Sequence, residues 1–254
     1  MVAASQSRTF VPGLLRATQG VPERIVEQMH APIVRQTEGM TTPLQSLVAY
    51  YEPLSALTRD LHGSMTLQTR ATPLLGANAS YLLPGAHPDV VPLLRVWHES
   101  QGSHPLFASL HPVPNAEHVQ TLRVGKYSPV PDPGVIVVEQ LSRLHMARFA
   151  ALIAEAHELA DWAAPLGKSL AASMERLPSA TLLMAYAGNE EIGALLHLPG
   201  AAHLWATLDP AADAPLLNRA AELSGGEVWT SLPDSSPLSV SDGAEVIFSL
   251  LNTD

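Results

Sequence analysis

The chain contains no cysteine, which excludes disulfides, thiolate metal sites and a cysteine nucleophile and leaves it indifferent to the redox compartment. Positive charge is scarce too: 14 Lys and Arg against 24 Asp and Glu give a formal net charge of -10. Phosphate neutralisation needs clustered basic side chains, so neither nucleic acid nor an anionic membrane is an expected partner. Long apolar runs are missing. The longest, Ile192 to Leu208, is broken by Pro199 and Gly200 and carries His197 and His203. The opening "MVAASQSRTFVPG" has neither the basic nor the apolar region of a signal peptide, so a cytoplasmic location is expected. There is no G-x-S-x-G elbow, and the G-K-S of "LGKSL" follows Trp162 where a Walker loop needs its first glycine.

What remains is a globular composition, 46% hydrophobic and 15% charged, over 254 residues, long for one domain and about right for two. Residues 1–40 read as a loose arm followed by a short helix in "VPERIVEQMHAPIVRQ". A helix is expected from Thr42 as N-cap and Pro43 as first helical residue to a stop at Gly63, kinked at Pro53. Strands follow at Met65–Thr69 and Ser80–Leu83, a helix opened by Pro88, a strand in "HPLFASL" and a brief helix in "NAEHVQTLRVG". Three prolines and a glycine in "SPVPDPG", residues 128–134, mark a linker between a unit at 41–127 and one at 135–254. Beyond it the expected order is strand, helix, helix, three strands, helix, strand, with "YAGNEEIGALLHL" as a hairpin and Gly225 and Gly226 ending the last helix.

That order resembles the second half of the GNAT superfamily, the acetyl-CoA-dependent N-acetyltransferases. Ile192, Gly193 and Ala194 match a step common in the family's third strand, and Leu204–Leu208 fall on its cofactor strand. The part before the linker, with Tyr81–Leu83, Pro88–Gln101 and Leu106–Leu110, resembles a more eroded copy. The resemblance implies an α+β fold, a GNAT-like mixed sheet flanked by helices, in two tandem copies. It also implies acetyl-CoA as cofactor, held along Trp205, Ala206, Thr207 and Leu208 and at the amides of Ala211 and Ala212. His197 and His203 take the place of the base for an amine substrate, and Glu155 and Glu158 that of its acidic anchors.

One departure governs function. The family's fourth strand runs into a basic, glycine-rich segment whose N–H groups hold the CoA pyrophosphate at a helix start. Here Leu208 runs into "DPAADAPLL". Asp209 or Asp213 can cap this helix and take the N–H groups an anion would need, and Pro210 and Pro215 remove further donors. A carboxylate about 4 Å from a phosphate near a surface repels it by ~4 kcal/mol before screening, against ~0.3–1 kcal/mol from the helix dipole. The family's aromatic alcohol after the fifth strand is also missing from "PDSSPLSVSDG". Two functions are therefore expected as rivals: an acetyltransferase-like protein with an impaired acetyl-CoA site that binds a small ligand or a protein partner, or an active N-acetyltransferase of a small amine with atypical coenzyme anchoring. Self-association through the first half is a further expectation. No metal site is expected, since His98, His104, His111 and His118 lack the H-x-x-x-H spacing that puts two imidazoles on one helix face.

Overall fold

The computed structural model describes residues 41–69, 72–87, 89–131 and 134–251. The expected arm, the helix in "VPERIVEQMHAPIVRQ" and Pro88 lie outside them.

Helix α1 (Pro43–Tyr51) starts at a capping box: Gln45 N–H donates to Thr42 Oγ1 at 3.3 Å and Thr42 N–H donates to Gln45 Oε1 at 2.9 Å. Its expected run to Gly63 is corrected. The helix ends at Tyr51, Glu52–Leu54 form one 3-10 turn, and the chain leaves as strand β1 (Leu57–Leu61), which turns at His62 and Gly63 into β2 (Ser64–Gln68). Pro53 has no N–H for the next helical turn and its ring crowds the turn before it, whereas Leu57–Leu61 find a full antiparallel ladder on β2.

Next come β3 (Ser80–Leu82), α2 (Val90–Ser100), β4 (Leu106–Ser109) and β5 (Ala116–Tyr127). The brief helix expected over Asn115–Gly125 is instead β5, the longest strand. Asn115 turns the chain into it with φ +60°, and ladders on both flanks override the local pattern. After the linker the elements are β6 (Val137–Leu141), α3 (Met146–Ala156), α4 (Ala163–Met174), β7 (Thr181–Ala187), β8 (Glu190–Leu198), β9 (Ala201–Thr207), α5 (Asp213–Leu223) and β10 (Val228–Pro233), in the expected order, followed by β11 (Ser241–Leu251), which sequence reasoning missed.

All described strands join one mixed sheet in the order β1-β2-β3-β4-β11-β5-β10-β9-β8-β7-β6. The order repeats outward from its centre. β4 and β10 each pair in parallel with the strand before them, β3 and β9, across a helix, α2 and α5. The hairpins β1–β2 and β7–β8 lie beyond. Each element of β7 to β11 follows its counterpart in β1 to β5 by roughly 120 residues. The last strand of each set sits inside the other: β11 pairs with β4 and β5, and β5 pairs with β10 and β11. One continuous sheet thus crosses the linker.

Alternation along the strands splits the core. Leu182, Met184, Ala194 and Leu196 pack with α1, α3 and α4 on one face, while Leu183, Ala185 and Leu195 pack with α5 on the other. Leu94 of α2 packs with Phe107 on that second face of the first half. The linker is clasped: Asn218 of α5 accepts from Val130 N–H at 3.0 Å, donates to Val130 C=O at 2.9 Å and accepts from Tyr127 O–H at 2.8 Å. Among the described residues no helix is long and apolar enough to cross a membrane.

Candidate functional site

β9 and β10 run parallel but pair only at Ala201–Trp229 and Ala202–Thr230. Beyond that point the edge of Leu204–Thr207 is not laddered to β10. The other edge of β9 pairs with β8, with a bulge: from Leu196–Leu204 to Leu198–Ala201 one strand advances two residues and the other three. A splayed parallel pair next to a bulge leaves backbone groups unpaired in the sheet, and each must find a partner. At Leu196 C=O, Leu204 N–H and His203 C=O the protein supplies them.

Tyr50 of α1 inserts its hydroxyl between β8 and β9 at the bulge, accepting from Leu204 N–H at 3.1 Å and donating to Leu196 C=O at 2.6 Å. Tyr51 donates to His203 C=O at 3.1 Å. Both phenols are fully buried, and burial pushes their pKa values up, so they serve as neutral donors. Trp205 reaches across the splay, its Nε1 donating to Ser231 C=O of β10 at 3.2 Å. Sequence reasoning placed these β9 residues on the cofactor strand and missed Tyr50 and Tyr51; nothing in the sequence ties α1 to a strand some 150 residues later.

His203 stands in the same network. Its Nε2 lies 2.9 Å from Ser46 Oγ of α1 and its Nδ1 3.2 Å from Ser231 Oγ. Burial lowers its pKa to about 3, so the ring is neutral at physiological pH with both nitrogens engaged. His197 is placed apart from this network: its Nε2 lies 2.9 Å from Ser224 Oγ, at the far end of α5, and its buried Nδ1 has no hydrogen-bond partner. Burial lowers its pKa as well. The two histidines share no hydrogen-bond partner. His98 of α2 is a third buried imidazole, between Ser80 Oγ and Ser103 Oγ at 2.9 Å each, with a pKa lowered by burial to about 4.

The start of α5 is closed by its own chain. Asp209 caps the 3-10 turn Pro210–Ala212: its Oδ1 accepts from Ala211 N–H at 2.9 Å and its C=O from Ala212 N–H at 3.0 Å. Leu208 N–H donates to Ile192 C=O at 2.7 Å. Asp213, the first residue of α5, accepts from Thr207 Oγ1 at 2.6 Å. Burial raises its pKa, the Thr207 hydrogen bond pulls the other way, and Asp209 adds to the rise. Gly193 lets this turn sit close on β8; a Cβ there would lie 2.8 Å from Leu216 Cδ1 and 2.9 Å from Thr207 Cγ2.

Acidic side chains gather at this end of the sheet. Arg143, just after β6, donates to the carbonyls of Met174, Leu177 and Pro178 near the start of β7, and Glu155 and Glu158 are exposed at the end of α3. Glu190 and Glu191 stand at the β7–β8 turn, and Gly193–Thr207 pairing brings Asp209 and Asp213 to the same end. Arg148 pairs with Glu191. Among the described residues no three His, Asp or Glu side chains converge as metal ligands.

No protein-family model matches the chain, and no curated protein matches it. Among solved structures it is similar to a GCN5-related N-acetyltransferase from Kribbella flavida, with a TM-score of 0.58 at 12% identity over 85% of this chain and 98% of that one. It is also similar to a functionally unknown conserved protein from Staphylococcus epidermidis, with a TM-score of 0.52 at 10% identity over 77% of this chain and 93% of that one. At such identities the likeness shows the fold alone. The chain has a GNAT-like fold, as its element order led us to expect.

Proposed function

We propose that the protein is an acetyltransferase-like binding module, built as two tandem copies across the 128–134 linker, whose second-half cleft does not hold acetyl-CoA. The observation that carries this reading is the carboxylate of Asp209 on the amide of Ala211, with the Ala212 amide on Asp209 C=O. These are the donors the resemblance assigns to the coenzyme's pyrophosphate. A diphosphate entering here would displace an existing cap, worth about 1 kcal/mol, and would then lie beside Asp209 and Asp213. The residues present do not fit the coenzyme.

The surroundings favour a cationic occupant. Glu190 and Glu191 at the β7–β8 turn and Asp209 and Asp213 after β9 stand at one end of the sheet, where Arg148 pairs with Glu191. In this reading His203 is a cross-link between α1 and β10, since a ring with a pKa of about 3 is a poor proton acceptor near neutrality.

The early separation of β9 from β10 favours the rival, an active N-acetyltransferase of a small amine that grips the coenzyme along the backbone of Trp205–Leu208. One measurement separates the two. Thermal unfolding with millimolar CoA or acetyl-CoA leaves Tm unchanged in our reading. A saturable rise, together with coenzyme phosphates resting on Ala211 and Ala212 in soaked crystals, establishes the rival.

A further inference from the structure

The repeated strand order gives the first half its own version of this cleft, and there the fold leaves it open. The start of α1, the β1–β2 turn and the end of β3 stand in the first set as the start of α4, the β7–β8 turn and the end of β9 stand in the second. They enclose a cavity of about 330 Å³ lined by Gln45, Asp60, Ser64, Met65, Leu83 and Pro84 among others. Among the described residues no carboxylate cap fills it. The loop leaving β3 there is Leu83, Pro84 and Gly85, where the second set has Leu208, Asp209 and Pro210.

We propose that this cavity is the protein's small-ligand site and that it takes a compact amphipathic primary amine carrying a hydrogen-bonding group next to the ammonium. The lining sets the class. Among the described lining residues Asp60 is the one acidic side chain; it is exposed, with Oδ1 accepting from Gly63 N–H at 3.3 Å and Oδ2 without a protein partner among the described residues. That carboxylate suits an ammonium. Gln45 uses its Oε1 in the capping box, which fixes the side chain and leaves both Nε2 protons for an acceptor on the ligand. Met65, Leu83 and Pro84 offer an apolar wall for a short alkyl group. Among the described lining residues there is no cation to meet a phosphate or carboxylate ligand, and a coenzyme-sized molecule exceeds the cavity's volume.

This inference rests on the ligand-binding part of the proposed function and not on the closure of the second-half cleft. The test is calorimetric titration of the full chain with leucinamide, with N-acetyl-leucinamide and isocaproamide, which lacks the amine, as controls. Leucinamide binds saturably, both controls fail, and Asp60→Asn weakens binding at least roughly tenfold while leaving Tm unchanged, because the substituted side chain keeps the oxygen that meets Gly63. No saturable heat from leucinamide, equal binding by either control, or unchanged affinity in Asp60→Asn overturns the inference. Binding lost in Asp213→Asn but kept in Asp60→Asn places the amine in the second-half cleft, which overturns this inference and leaves the proposed function standing. A coenzyme-induced rise in Tm overturns the proposed function and leaves the amine site to its own titration.

Discussion

Lowering the pH from 7 to 5 should remove several kcal/mol of stability, most of it through two buried imidazoles. His203 and His98 are 5% and 2% exposed, and burial holds their pKa values at about 3 and about 4, against about 6.5 in an unfolded chain. The folded values lie below the unfolded one, so unfolding takes up a proton. Stability is whole above about pH 6.5 and falls as the pH drops toward the folded pKa, with a slope approaching ~1.4 kcal/mol per pH unit per group. Between pH 7 and 5 each histidine then costs about 2 kcal/mol, and the pair about 4, a large share of the 5–15 kcal/mol typical of a domain. Urea unfolding of the wild type and His203→Gln at half-unit steps isolates one site from the titration of the many carboxylates. Glutamine cannot charge, so the stability gap between wild type and variant narrows by about 2 kcal/mol on acidification. A gap that stays constant from pH 7 to pH 5 refutes the reasoning: His203 would then be solvated enough to protonate in place.

Two further outcomes probe how the halves are joined. Asn218→Ala removes the three hydrogen bonds that clasp Val130 and Tyr127, which should cost about 1–2 kcal/mol and make the 128–134 segment the first site cut in limited proteolysis; an unchanged cleavage pattern counts against the clasp. Gly243→Ala places a Cβ 2.5 Å from Val124 C=O, a backbone atom at the bulge between β5 and β11, and should lower stability by at least about 2 kcal/mol in denaturant titration, whereas near-neutrality would mean that the bulge relaxes freely.

Local rules carried the second half of the molecule. β-branched runs, a glycine turn at Gly188 and helix stops at Gly225 and Gly226 gave the order from β6 to β10, and Thr42 and Asp209 cap where a capping residue should. The errors have two causes. β5 and β11 take their form from strands distant in sequence, so "NAEHVQTLRVG" looked like a short helix, whereas "ALTRDL" looked like the continuation of one although its partner β2 follows after a two-residue turn. The candidate site divided in the same way. The closure of the α5 start was legible, because a cap and the residue it caps are two positions apart. The seal that Tyr50 and Tyr51 place on β9 was not, because a tyrosine on an apolar helix face gives no sign of which distant backbone it will meet.

The interleaving of β5 and β11 sets an order on biosynthesis. Until residues 241–251 have left the ribosome, β4 and β5 have nothing between them, and both wait with exposed backbone while the whole of the later segment is translated. Such a chain closes its most distant pairing last and folds slowly for its size. A premature stop anywhere after β10 therefore damages the part of the protein made first.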